Sequence, residues 1–391
     1  MIASANSKPA GALVIEGHVQ GLSIARSLGE KDIPVYVLDK KVCVAKYSRY
    51  CSGYFRCPDY DSDEFIDYLL VLHDTYDLNG WVLYPTNDYA VYNISRNINR
   101  LQGKYKTTVS GIDTYQHIYN KRKTIDIAHR VEIPVPRTLY LSESSDYMSD
   151  IHYPAIIKGI EGLRFYKSNG RKAFHISNPE DLPEIIRKLN DTNSIQNAMI
   201  QEVIPYNGSN YVTSFTAFSI DGDIKTFWMG RKIREHPRRF GTATFCDSVY
   251  EETLLEYSKI LLNEIGYTGV CEIEFLQDPR TGEYNFIEIN GRTWLWVDLA
   301  RKCGVDYPLL IYNYLHDRDS VYSTSYSENI KWYHFWTESF YNTAELLRGN
   351  YKLKDIIKSY RGEIFEAVYS KNDILPFLAE SILLPYIYFT R

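Results

Sequence analysis

Three carboxylates and one amide, spaced two residues apart, are the side chains best placed to do chemistry in this 391-residue chain. They lie in Gly269-Val-Cys-Glu-Ile-Glu-Phe-Leu276 and Tyr284-Asn-Phe-Ile-Glu-Ile-Asn-Gly-Arg292, joined through Asp278-Pro-Arg-Thr-Gly282. Both arms alternate apolar and polar residues, which predicts two half-buried strands, and the Pro and Gly between them predict a turn. If Glu274 faces Glu288, the same register sets Glu272 opposite Asn290, and all four side chains share one sheet face. Carboxylates gathered this way repel one another unless a cation lies among them. Hard oxygen donors without His or Cys suit Mg²⁺, which binds one or two carboxylates and completes its shell with water and phosphate oxygens. The pattern is also compatible with the solvated polar face of an ordinary hairpin.

The elements that must position this hairpin can be read along the chain. Ala12–Ile15 is a strand, Glu16-Gly-His-Val-Gln-Gly21 a turn, Leu22–Leu28 a helix, and Val35–Leu38 a second strand ending at Asp39. This is the opening of a Rossmann-like βαβ unit, although the glycines read G-x-x-x-G rather than G-x-G-x-x-G, a poor match for NAD. Asp63–Leu72 is a helix and Trp81–Tyr84 a strand, with Thr86, Asn87 and Asp88 at its carboxyl end. These three either touch a polar ligand or cap the next helix. Asn120-Lys-Arg-Lys-Thr124 opens an amphipathic helix that stops before Ile133-Pro-Val-Pro136. Tyr153–Lys158 is a strand closing on a lysine, which needs an anion or a route to water. Ala198–Pro205 is a strand ended by a breaker. Tyr211–Ile220 and Ile224–Met229 form a hairpin about Asp221-Gly222 and deliver a basic run, Gly230 to Arg239. A helix over Glu251–Ile265 precedes the carboxylate hairpin, and Trp294–Cys303 and Pro308–Leu315 are closing helices.

Glu-Phe-Leu, a short turn and Phe-Ile-Glu-Ile-Asn-Gly-Arg292 together resemble the metal-binding hairpin of the ATP-grasp superfamily, which includes biotin carboxylase and many carboxylate–amine ligases. The resemblance spans roughly residues 10–315 and is closest to stand-alone ligases of the D-aspartate ligase type. It implies an α/β chain of the α+β grasp kind. The Rossmann-like pre-ATP-grasp domain would occupy 1–112. A two-lobed ATP-grasp domain would follow over 113–317, comprising a linker helix (113–136), a smaller lobe (137–205) and a larger lobe (206–317). A C-terminal extension would fill 318–391. It further implies ATP and two Mg²⁺ ions (or Mn²⁺) held by Glu274, Glu288 and Asn290. Lys121 and Lys158 would hold phosphates, and Glu202 and Val203 the adenine and ribose edge. Lys232 and Arg231 would present cations to the triphosphate, and Arg292 would hold the substrate carboxylate. Asn120 and Glu132 depart from the Asp and Gly of the family's linker helix, and Gly208-Ser-Asn210 stands where an acidic residue is common. Gly159-Ile-Glu-Gly162 and Asn169-Gly170 correspond to a thin glycine lid, and Gly241-Thr-Ala-Thr244 to part of the acceptor pocket. The implied reaction activates a carboxylate as an acyl phosphate and passes it to an amine, an amino acid or peptide being one substrate. Bicarbonate activation, or nucleotide sensing without turnover, are the alternatives.

Composition narrows the partners. A net charge of −5 argues against general nucleic-acid binding. Six cysteines without a Cys-x-x-Cys pair suit a reducing compartment, so a cytoplasmic protein is expected. The most apolar stretch, Ile374–Phe389, is interrupted by Pro376, Glu380 and Pro385 and is too short to span a bilayer. It is expected to be a buried C-terminal helix, with membrane-surface contact as the alternative. A homodimer is an expectation of the resemblance alone.

Overall fold

The computed structural model describes residues 10–143, 151–237 and 241–390. Fifteen strands form three sheets among these residues. The first is parallel, with β1 (Ala12–Ile15), β2 (Val35–Asp39), β3 (Cys51–Arg56) and β4 (Val82–Pro85) in the order β3-β2-β1-β4. Its strand direction of progress reverses between β1 and β4, which opens a crevice beyond their carboxyl ends. β3 escapes sequence reading because Cys51-Ser-Gly-Tyr-Phe-Arg56 is an edge strand without clean alternation.

The second sheet contains β5 (Thr138–Tyr140), β6 (Ala155–Gly159), β7 (Ala173–Ile176) and β8 (Ala198–Glu202), antiparallel in the order β5-β8-β6-β7. The third is built from β9 (Val212–Ile220), β10 (Asp223–His236), β11 (Thr242–Ser248), β12 (Gly269–Gln277), β13 (Tyr284–Asn290), β14 (Lys331–Tyr333) and β15 (Ile364–Glu366). Its order is β13-β12-β9-β10-β11-β14-β15. The β9–β10 turn holds Asp221 at φ 51° and Gly222 at φ 84°, the two left-handed residues that a tight hairpin twisted like its strands requires.

The segment after residue 317 is not set apart from the rest. β14 pairs with β11 and β15 with β14, so it lengthens the third sheet by two strands. One apolar cluster joins Val14 and Val35 of the first sheet to Trp228, Trp294, Trp296 and Trp332 around the third, and to Val368. All four indoles are buried, with Trp228 and Trp294 stacked 6.2 Å apart, each burial contributing on the order of 3 kcal/mol. The tail is also tied by charge. Arg26 Nε donates to Asp373 at 2.9 Å, and the same carboxylate accepts from Ser48 Oγ at 2.7 Å and the Arg49 amide at 2.9 Å.

The C-terminal helix Leu375–Thr390 corrects the expectation of burial: Leu375, Leu378 and Ile382 are exposed. Among its described side chains, Phe377 packs inward against Phe335 and Glu380 against His334. Among the described residues no helix is long and apolar enough to cross a membrane. All six cysteines are free thiols.

Candidate active site

The carboxylates meet as the alternation predicts. β12 and β13 pair with Glu272 opposite Asn290 and Glu274 opposite Glu288, and a bulge follows immediately. On the other side of β12, Glu272 faces Thr216 and Glu274 faces Ser214, while Gly230 of β10 lies opposite Ser214. One sheet face therefore carries Ser214, Lys232, Glu272, Glu274, Glu288 and Asn290. Lys232 Nζ is 2.5 Å from Glu274 Oε1. Burial opposes its charge, yet Glu274 and Glu272 raise its pKa above the ordinary lysine value. Glu272 accepts from Ser214 Oγ at 2.9 Å and from Asn290 Nδ2 at 3.4 Å. Burial, then the charge of Glu274, push Glu272 up to about 7. Because Asn290 spends its N–H on Glu272, its carbonyl oxygen is left as a donor to a cation.

The second sheet and the helix Lys121–Arg130 add cations from above. Asn120 caps this helix by accepting from the Lys123 amide at 3.2 Å, which offsets the unfavourable placement of lysines at a helix start. The Lys121 amide donates to Ile160 O at 2.9 Å, tying the helix to the end of β6. Lys121 Nζ thereby comes to 3.4 Å from Glu288 Oε2. Lys158, the second-last residue of β6, has no ion-pair partner within reach among the described residues. Burial first, and Lys121 next, bring it down to about 8. Burial alone would push Glu288 up, but Lys121, Lys158, Lys232 and Arg292 outweigh it and hold Glu288 at about 2. Four cations converge on three carboxylates, one of which, Glu272, has its negative charge weakened by burial and by Glu274. Such a site favours an anion.

No group of three or more His, Cys, Asp or Glu is gathered tightly enough to hold a metal by itself among the described residues. The donor set still fits Mg²⁺ arriving with phosphates: hard oxygens of Glu274 and Glu288 on facing strands, with the Asn290 carbonyl on the same face.

Several expectations need correcting. Arg231 does not share the site with Lys232. Successive strand residues point to opposite faces, and Arg231 lies on the far face, with its guanidinium 2.7 and 3.1 Å from the two oxygens of Asp247. The glycine lid is instead a helix, Gly162–Asn169, closed by Gly170 at φ 65°, and Lys167 ties it to Asp61 of the first sheet's layer at 2.5 Å. The Val203 amide continues the β6–β8 ladder by donating to Pro154 O at 2.9 Å, so it is not free for a base edge. The next amide, Ile204, has no backbone partner among the described residues. Glu202 lies beside Arg280, whose Nη2 is 3.3 Å away. Thr244 turns away from the acceptor side, donating at 2.7 Å to the buried Glu338.

Thr86, Asn87 and Asp88 divide between the two readings open to them. Asn87 caps its helix by accepting from the Ala90 amide at 2.9 Å, and Thr86 Oγ1 donates to Ile15 O at 3.0 Å. Asp88 reaches across to Arg292, which donates from Nε at 2.7 Å and from Nη2 at 3.2 Å. Gly291 permits this placement, since a Cβ there would lie 2.9 Å from the Tyr115 ring and 3.1 Å from Tyr267 Oη. Sequence reading overlooked Ser214, although its even spacing from Thr216 along β9 marks the same face.

Comparisons with known proteins agree with this architecture. Residues 237–309 match the family described as Carbamoyl-phosphate synthase L chain, ATP binding domain. The D-aspartate ligase of Enterococcus faecium (strain Aus0004) is 24% identical over 199 residues, 47% of this chain and 47% of that protein. The chain thus spans about half the length of the curated relative it matches. The biotin carboxylase–β-γ-ATP complex of Campylobacter jejuni superimposes with a TM-score of 0.64 at 16% identity, covering 82% of this chain and 74% of the other. The L-amino acid ligase of Bacillus licheniformis does so with a TM-score of 0.59 at 15% identity, covering 79% and 75%. The mixed α/β fold is that of the ATP-grasp proteins, and the resemblance seen in the hairpin extends over most of the chain.

Proposed function

We propose that this chain is an ATP-dependent carboxylate–amine ligase. The observation that carries the reading is the convergence of Lys121, Lys158, Lys232 and Arg292 on Glu288, directly across the hairpin from Glu274. Phosphoryl transfer needs positioning and neutralisation of charge more than covalent help from the protein. In this reading Glu274, Glu288 and Asn290 would hold Mg²⁺, which would supply positive charge against the nucleotide phosphates. Lys121 neutralises phosphate oxygens from the start of its helix, Lys158 from the smaller sheet and Lys232 from the larger. Glu202 and the backbone beside it, with Ile204 supplying the free amide, receive the adenosine. Arg292 holds the carboxylate as it becomes an acyl phosphate, since its planar fork matches two oxygens. A neutral amine then displaces phosphate and forms the amide. The similarity to a D-aspartate ligase supports this reaction class, with small carboxylates and amines as substrates.

The experiment is Mg²⁺-dependent ADP release from ATP, screened against amino acids, simple carboxylates and bicarbonate. Release that requires a carboxylate, and continues only with an amine present, supports the ligase. Release with bicarbonate alone would replace it with carboxylase-type activation.

A further inference from the structure

Beyond residue 335 several acidic side chains point inward, and apolar ones beside them point out. In the helix Phe335–Leu347, Glu338, Tyr341, Asn342 and Glu345 are buried, whereas Phe340 and Leu347 on the opposite stripe are exposed, Leu347 by 85%. The reversal has a local cause. Glu338 is held by Arg234 and Thr244, and Glu345 accepts from Arg348 and Asn350 at 2.7 Å each, so the polar face is spent on the interior. The helix Leu375–Thr390 repeats the arrangement: Phe377 and Glu380 face the protein, and Leu375, Leu378 and Ile382 form an outward stripe at helical spacing, Ile382 being 80% exposed. Between them, the short helix Leu353–Ser359 buries Ile356 and exposes Leu353 and Ile357. Among the described residues, ten of the sixteen exposed large apolar side chains lie in 340–386, about an eighth of the chain, which marks this surface as one that meets a partner. Rings in contact join the first helix to the last, from Phe340 through Trp336, Phe335 and Phe377 to Tyr369, with centroids 5.0 to 6.1 Å apart.

The charges left outside are mostly basic. Lys352, Lys354, Lys358 and Arg361 are exposed around Leu353 and Ile357. Lys371 and Arg49 are exposed beside the start of the last helix, where Arg49 Nη1 donates to Asn372 O at 3.3 Å. Asp355 and Glu363 are the exposed acids of residues 335–390, while Glu338, Glu345, Asp373 and Glu380 lie at 3% exposure or less. A chain of net charge −5 therefore turns cations and apolar stripes outward here and keeps most of its acids inside. We propose that this face lies on an anionic bilayer surface, with the apolar stripes entering the headgroup boundary and the lysines meeting lipid phosphates. The proposal stands independently of the ligase reading. Apolar helical stripes bordered by Lys and Arg are the composition that binds in the plane of a bilayer. Anionic headgroups supply the countercharge that these cations lack on the protein's own surface. A second copy of the chain fits less well, because a two-fold contact through the same face sets these lysines against their equivalents. None of the three helices is long and apolar enough to cross the membrane, so the contact is interfacial.

The 391-residue chain is mixed with vesicles of phosphatidylcholine alone, or of phosphatidylcholine with about 30 mol% phosphatidylglycerol, and bound protein is read by flotation. Binding to the anionic vesicles should exceed binding to the neutral ones roughly tenfold, and should weaken as salt rises from about 0.1 to about 0.5 M. Two double variants separate the contributions: Leu378→Ser with Ile382→Ser removes apolar contact, and Lys354→Glu with Lys358→Glu reverses charge. Each should lower vesicle binding roughly tenfold. All four side chains are exposed, so the melting temperature should stay near that of the wild type. Val71→Ser, at an exposed position on the helix Asp63–Tyr76, should bind vesicles as the wild type does. No binding to the anionic vesicles, equal binding to neutral ones, or wild-type binding by either folded double variant overturns the proposal. A dimer seen by light scattering and lost in Ile382→Ser, without vesicle binding, overturns it in favour of a second copy on this face.

Discussion

Lys158 closes a buried strand, and burial first, then the charge of Lys121, outweigh Glu288 and Glu274 and bring its pKa from an ordinary 10.5 to about 8. The sign of the linkage follows. Below about pH 8 the free protein carries the full cost of a charged Lys158. Between 8 and 10.5 the unfolded chain binds more protons, so folding stability from this group rises with pH. Nucleotide phosphate reverses the shift by supplying the missing anion. At pH 8.5, MgATP binding should therefore take up a proton, seen as a buffer-dependent enthalpy in titration calorimetry, and the uptake should vanish in Lys158→Gln. Wild-type binding without proton uptake would place Lys158 away from the phosphates. Glu288 behaves oppositely: its depressed pKa means its stabilising contribution is present above the ordinary carboxylate range and fades only as pH falls toward 2. Removing it leaves the converging cations unbalanced and deprives the nucleotide of a metal ligand. Glu288→Gln should lower ADP release by about a thousandfold while circular dichroism stays unchanged; a folded variant with wild-type turnover would refute the metal assignment.

Strand alternation decides which cations are functional at the scale of elements. β10 carries the basic run as far as His236, so Lys232 turns to the carboxylates and Arg231 to Asp247, while irregular pairing beyond Lys232 re-aims Arg234. Arg234 then fastens the strand to the helix Phe335–Leu347 through Glu338, which is buried and lies 2.5 Å from Arg234 Nη2. Glu338 also accepts from Asn342 at 2.9 Å, and Arg234 stacks 4.1 Å from the Phe245 ring. Glu338→Ala strands a buried guanidinium, and urea denaturation should show a loss of about 3–5 kcal/mol. The lid helix is the contrasting case. Its Lys167–Asp61 pair is largely solvated, so Lys167→Ala should change stability by less than about 1 kcal/mol.

The whole molecule is held together by residues far from the chemistry. The last strands extend the third sheet while Asp373 fastens the tail to Arg26 on the first helix, so the C-terminal segment clamps the first sheet's layer against the grasp sheet. The crevice between those layers is where Asp88 and Arg292 meet. A chain truncated after residue 317 exposes the surface that covers Trp228 and Cys246 and loses the Arg26 anchor. It should elute as aggregate on gel filtration and melt without cooperativity. A monodisperse, cooperatively melting truncation would show that the extension is dispensable for folding.

The hairpin was legible from residue types alone, because a period of two fixes the face of every side chain once a single pair is aligned. Glu272, Glu274, Glu288 and Asn290 needed no more than that, and the same local signals of turn residues, caps and apolar periodicity located most strands and helices. Where alternation continued unseen into the basic run, Arg231 was placed on the wrong side. The Asp88–Arg292 pair spans 204 residues, and the Arg26–Asp373 tie 347; no periodicity relates such positions, because their meeting depends on how layers pack. Exposure of the C-terminal helix was likewise decided by tertiary packing, since apolar composition makes burial favourable but cannot supply the surface to be buried against. The sequence by itself determined the fold class and the acidic strand pair. Only the tertiary structure decided which cations face that pair and which carboxylate closes the crevice beside it, because those depend on contacts between elements that the chain brings together only after it has folded.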